Sequence, residues 1–151
     1  MTSFYYWEDF FQGQVFQCGP VQISEHEILQ FAGQYDPQRF HVNTEAAKNT
    51  PFKGLIASGW QTGSLMMRMV CDGFLVNSSS IGSPGLESLK WLKPVRPGDT
   101  LRTVVEVLET RSLNSKPHLG MMNSRWSCLN QNDELTTTLE AWIMFEKRPQ
   151  S

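Results

Sequence analysis

Ser58-Gly-Trp-Gln-Thr-Gly-Ser-Leu-Met-Met-Arg-Met-Val-Cys71 contains no proline, and Arg68 is its only charge before Asp72. Trp60, Leu65, Met66, Met67, Met69 and Val70 put apolar side chains on more than one helical face. The segment therefore predicts one helix, starting near Ser58-Gly59 and ending near Cys71 or Phe74, largely buried. A helix of that kind needs a covering layer, and the residues after it supply one. Leu86 to Leu92, Thr100 to Leu108, Gly120 to Leu129 and Leu135 to Phe145 read as strands, rich in Val, Leu, Ile, Trp and Phe. Pro94-Val-Arg-Pro-Gly-Asp99 fits a tight connection between the first two. Asn114 to Pro117 and Asn130 to Asp133 fit hairpin loops, so the strands are expected to form a meander. One long buried helix with an antiparallel sheet predicts an α+β fold in which the sheet wraps around the helix. A ferredoxin-like layout of the same elements is the competing geometry.

The chain changes character near Gly82, from mostly helical to mostly strand-like. Asn77-Ser-Ser-Ser-Ile-Gly-Ser-Pro-Gly85 is rich in turn formers and reads as a long connection. Upstream, a strand or hairpin is expected around Gln14 to Ile23, broken by Gly19-Pro20. Ser24-Glu25-His26-Glu27 is a capping box, in which the Ser24 hydroxyl and the Glu27 carboxylate each satisfy one free amide. The helix it opens carries Ile28, Phe31 and Ala32 on one side and is expected to end near Gly33, before Asp36-Pro37. A short helix over Thr44 to Lys48, capped by Asn43 or Thr44, should follow.

The 151 residues fit a single domain over 1–151. Lys and Arg number 13 against 15 acidic residues, and they are scattered, which argues against a nucleic-acid partner. No apolar run reaches the ~18 residues of a membrane span. The opening residues have neither a basic region nor an apolar core like those of a signal peptide. A cytoplasmic protein with no membrane partner is expected. Cys18, Cys71 and Cys128 are far apart and form no CxxC or Cys/His spacing, so free thiols are expected, with no metal and no cofactor.

Two further segments carry the chemistry: Phe31-Ala-Gly-Gln-Tyr-Asp-Pro-Gln-Arg-Phe-His41 and Gly54-Leu-Ile-Ala-Ser-Gly-Trp60. Asp36 and His41 flank Pro37, which keeps the segment out of regular helix, and a bend there can turn both side chains to one point. A carboxylate and an imidazole holding one water can take a proton from it and return one to a neighbouring carbon. Water adds to a conjugated double bond only if the adjacent carbonyl oxygen can take up negative charge. The amide of Gly59, at a helix start, can stabilise that oxygen, and glycine lets a substrate approach closely. Against this stands the plainer reading of each residue. Asp36-Pro37 can be only a turn, His41 only a packed or capping histidine, and Met66, Met67 and Met69 plain core. His26 and His118 read as solvated.

Taken together, Tyr35-Asp-Pro-Gln-x-Phe-His41, Ala46 and Ala47, and Phe52-x-Gly-Leu-Ile-Ala-Ser-Gly-Trp60 resemble the hydratase motif of the MaoC-like family, which includes the (R)-specific enoyl-CoA hydratases. Leu89-Lys-Trp-Leu-Lys-Pro-Val-Arg-Pro-Gly-Asp-Thr-Leu101 resembles that family's strand-turn-strand. The likeness runs from about Phe10 to Phe145. It implies a hot-dog fold, with the antiparallel sheet wrapped around the long central helix, and a homodimer or a higher multiple. It implies a hydro-lyase acting on the 2,3 double bond of an acyl-CoA, or less favourably of an acyl carrier protein thioester. Asp36 and His41 match the catalytic pair, with His41 expected to activate water and Asp36 to protonate carbon, the two roles being exchangeable. Gly59 matches the residue whose amide holds the thioester carbonyl. Phe40, Trp60, Met66 and Met67 are candidates for an acyl pocket. The chain departs from the pattern at Pro37, where many hydratases have Asn, and at Ser58, where many have His. A hot-dog thioesterase is one alternative, disfavoured by the lack of Asp or Glu from Gly59 to Cys71. A non-catalytic acyl-thioester-binding subunit is another, disfavoured by the intact pair.

Overall fold

The computed structural model describes residues 3–150. Its strands are β1 (Val15–Gln22), β2 (Ser80–Trp91), β3 (Thr100–Ser112), β4 (Leu119–Leu129) and β5 (Leu135–Glu146). Its α-helices are α1 (Glu25–Tyr35), α2 (Arg39–Val42), α3 (Thr44–Ala47) and α4 (Gly59–Gly73). The strands form one antiparallel sheet in the order β1-β3-β4-β5-β2. The long helix α4 lies against one face of it, packed chiefly on β1 and β3. This is the α+β hot-dog arrangement.

Alternation explains which face carries the helix. Leu101, Thr103, Val105 and Val107 of β3 point inward, as do Met122, Ser124, Trp126 and Cys128 of β4, and Leu139, Ala141, Ile143 and Phe145 of β5. Their intervening neighbours are more exposed, the period-two pattern of a sheet with one covered face. From α4, Met66, Met69 and Val70 enter this core, each contributing about 1.5–3 kcal/mol by leaving water.

Several local expectations need correction. The helix α4 has the expected limits but is buried on one side only. Trp60 is 61% exposed and Met67 43%, because the sheet covers a single flank of the helix. The helix α1 opens on the Ser24–Glu27 capping box but runs past Gly33 to Tyr35. What stops it is Pro37, whose ring pushes Asp36 out of the helical region, to φ −151° and ψ 68°. A one-turn helix, α2, then carries His41 itself. The first strand is one bulged strand rather than a hairpin, with Gly19 at φ +101° in the bulge.

The largest correction concerns β2. The turn-rich stretch up to Gly85 is not a loop beyond Ser79. Ser80 to Gly85 form the first half of β2, a strand with three register breaks against β5. Pro84 and the glycines are tolerated because β2 is an edge strand. The two strands joined by Pro94–Asp99 are likewise not neighbours, since β3 lies between β1 and β4. The link turns tightly at Arg96–Asp99 and is pinned to Ile23 by two backbone hydrogen bonds. The meander is confined to β3-β4-β5.

Candidate active site

Three stretches of chain converge at the start of α4. Asp36 caps the end of α1 and His41 stands on α2. Between Gly54 and Ser58 the chain forms a strap. The Ile56 amide donates to the Phe40 carbonyl at 3.1 Å, and the Ala57 amide to the Val95 carbonyl at 2.9 Å. Arg96 secures the strap's entry, its guanidinium donating to the carbonyls of Phe52 (2.5 Å) and Gly54 (3.3 Å). Two motifs far apart in sequence thus build one wall.

The strap orients both members of the pair. His41 is buried, and its Nδ1 lies 2.7 Å from the Ile56 carbonyl. A carbonyl only accepts, so Nδ1 carries the proton and Nε2 is left for chemistry. Nε2 lies 3.3 Å from Asp36 Oδ2. The same Oδ2 accepts from the Ser58 hydroxyl at 2.7 Å, while Oδ1 accepts from the Gln38 side-chain amide at 2.8 Å. Burial is the largest single influence on Asp36 and pushes its pKa up. The hydrogen bonds from Ser58 and Gln38 and the His41 ring together outweigh it, and hold the carboxyl below its ordinary value. Asp36 is therefore kept as an acceptor.

Asp36, His41, Gly59, Trp60, Trp91 and Val95 are among the residues that line a chamber of about 430 Å³. At the head of α4, Ser58 accepts three amides: that of Trp60 on its hydroxyl, those of Gln61 and Thr62 on its carbonyl. The amide of Gly59 has no acceptor among the described residues, and it sits at the positive end of a 15-residue helix. Why residue 59 is glycine proves to have a steric answer. A Cβ there would overlap the indole of Trp91, which packs over the helix start and meets Trp60 edge-to-face at 5.4 Å.

A second cavity of about 340 Å³ lies between α4 and the β2-β4-β5 half of the sheet. Trp60, Met67, Leu86, Leu89, Leu139 and Ile143 are among its lining residues, and Trp60 borders both spaces. Of the four candidates for an acyl pocket, Trp60 and Met67 face a cavity. Met66 is core, and Phe40 packs against His41 and Phe52 at centroid distances of 4.4 and 5.2 Å, without facing either space. Gln38 and Trp91 were not singled out from the sequence. Gln38 lies inside the Asp-Pro-Gln motif, but nothing local signals that its amide turns back to Asp36.

A hot-dog domain whose helix start faces a carboxylate–imidazole pair defines the class. The MaoC like domain family matches residues 11–124, and the chain belongs to that family. It is 33% identical over 126 residues to the uncharacterized protein YdeM of Bacillus subtilis, covering 83% of this chain and 88% of that one. It is 36% identical over 110 residues to an (R)-specific enoyl-CoA hydratase of Rhodospirillum rubrum, covering 68% of this chain and 69% of that enzyme. Among solved structures, a MaoC-like dehydratase from Rhodospirillum rubrum superposes with a TM-score of 0.89 at 33% identity, over 97% of this chain and 99% of that one.

Proposed function

We propose that the protein is a hydro-lyase that adds water to, or removes it from, the 2,3 double bond of an acyl-CoA. The single observation that carries this reading is the arrangement of Asp36 and His41, 3.3 Å apart in a chamber that also opens on the start of α4. In the hydration direction a water oxygen bonds to C3 and loses one proton to the pair, while the pair delivers one proton to C2. The electrons of the double bond pass through the thioester carbonyl oxygen, where the Gly59 amide and the helix dipole offset the developing charge. The donors on Asp36 support one of the two possible assignments. Asp36 takes the proton from water, and His41, in its doubly protonated form with one proton on Nδ1 and a second on Nε2, gives the Nε2 proton to C2. The cycle closes when Asp36 returns its proton to His41. No covalent intermediate is needed.

The acyl chain fits the apolar cavity beyond Trp60, with its thioester end in the chamber. The active unit in this reading is a homodimer or a multiple of it, joined along the free edge of β2. That edge carries exposed Ile81, Leu86 and Trp91, and pairing it with a second copy removes an unpaired strand. The decisive experiment incubates the pure protein with crotonyl-CoA and a series of longer and branched 2-enoyl-CoAs and follows loss of the conjugated absorbance. Turnover of at least one member is the expected result. Inertness toward the whole series, with tight thioester binding, supports the binding-subunit alternative instead.

A further inference from the structure

We propose that Ser58 is a positioning residue of the pair, its hydroxyl tying the Asp36 carboxylate to the first turn of α4 and so fixing which oxygen faces His41. The inference rests on the hydratase reading above for its kinetic consequences, but its geometric content stands on the Ser58 contacts alone.

Ser58 is fully buried. With no water to turn to, its hydroxyl must be satisfied inside the protein. It has two neighbours, the Trp60 amide at 3.3 Å and Asp36 Oδ2 at 2.7 Å. An amide can only donate, so the hydroxyl accepts from Trp60 and its one proton goes to Asp36. The direction of the bond is therefore decided without seeing a hydrogen. Asp36 Oδ2 is pinned between Ser58 and His41 Nε2, and Gln38 occupies Oδ1. Rotation of the carboxyl group would break both donors' bonds at once.

The connectivity also excludes a nucleophilic serine. In a Ser-His-acid triad the hydroxyl bonds to the imidazole, which takes its proton. Here the hydroxyl bonds to the acid, and Ser58 does not line the chamber. What remains is orientation, together with control of the carboxyl proton. The charged or titratable groups about Asp36 are His41 from α2 and, on the chamber wall, Lys93 from the β2–β3 link, which is paired with Glu134. The Ser58 bond joins the pair to the helix whose first residue, Gly59, lines the chamber. Removing it is expected to raise the carboxyl pKa and loosen the geometry, leaving substrate binding nearly intact.

The test uses the full chain. Ser58→Ala should lower kcat on an active enoyl-CoA on the order of 10-fold, the worth of one hydrogen bond to a charged group. KM should change little. The acid limb of the kcat profile should move to higher pH, and Ser58→Thr should restore most of both. Independently of activity, the Asp36 carboxyl carbon, followed by NMR in labelled protein, should titrate at higher pH in Ser58→Ala than in the native chain. Because Ser58→Ala also removes the cap of α4, Gln38→Leu serves as a second variant. Gln38 is exposed, so its loss leaves the core alone yet should move the Asp36 titration in the same direction. If native protein turns over an enoyl-CoA but neither the acid limb nor the Asp36 titration moves in Ser58→Ala, Ser58 only caps the helix and the proposal is overturned. If native protein is inert, the hydratase reading fails, and the NMR titration alone still decides whether Ser58 governs Asp36.

Discussion

Replacing Asp36 by asparagine and His41 by glutamine, singly and together, tests the proposed chemistry most directly. Both changes keep size. The Asp36→Asn variant retains an oxygen to accept the Ser58 proton, bonded at 2.7 Å in the native chain, but loses the ability to take a proton from water. The His41→Gln variant loses the proton that Nε2 would carry and the ring contact with the Ile56 carbonyl at 2.7 Å. A general acid or base is typically worth 10²–10⁴-fold, or about 3–5 kcal/mol of barrier. Each single variant should lose that much in kcat. The two side chains share one proton relay across 3.3 Å, so the second removal finds little left to break. The double variant should fall within about 10-fold of the worse single one, far short of the product of the two losses. The assay is steady-state hydration of the best enoyl-CoA, with circular dichroism confirming the fold of each variant. The sign of the pH effect follows from Asp36. Its folded pKa lies below the ordinary carboxylate value, so the acceptor form persists above that lowered value and disappears as pH falls through it. The acid limb of the native profile should therefore lie below the ordinary carboxylate range. Near-native kcat in both single variants would refute the mechanism.

Four other outcomes are expected. Trp60→Ala joins the two cavities and should raise the kcat/KM ratio of long over short enoyl-CoAs, measured on a chain-length series. Gly59→Ala should lower stability by about 1–3 kcal/mol in urea melts, because its Cβ meets the Trp91 indole, and Trp91→Leu should recover part of the loss. Leu86→Lys on the free edge of β2 should shift the mass seen by light scattering at micromolar concentration from dimer toward monomer. A native protein that is already monomeric would contradict the assembly. Burial pushes the Cys18 thiol up to about 11 and raises that of Cys128, whereas Cys71 is half-buried. Brief alkylation near neutral pH followed by mass spectrometry should find Cys71 modified well ahead of the other two.

Local signals were sufficient for much of this molecule. The limits of α4, the capping box on α1, the four later strands and the two hairpins of β3-β4-β5 follow from periodicity and turn chemistry, which act over a few residues. The candidate pair was legible because Asp36 and His41 lie within one short segment around a proline. Several features were not legible, and they share a cause: each depends on residues brought together from distant parts of the chain. The stretch from Ser80 to Gly85 looks like a loop by composition and becomes strand because β5, more than fifty residues later, offers it an edge. The separation of β2 from β3 depends on how the whole sheet closes over α4. Gly59 invites a functional reading, yet Trp91, 32 positions away, also packs its indole where a side chain at 59 would stand. Ser58 read only as a departure from the motif. Its bond to Asp36 spans 22 positions and arises because Arg96 and Val95 hold the intervening strap in place. Local preference accounts for the short elements, and the chain's composition for the residue types at hand. That Ser58 is a neighbour of Asp36 was settled by packing and loop closure, which, unlike local preference, set distances between remote residues.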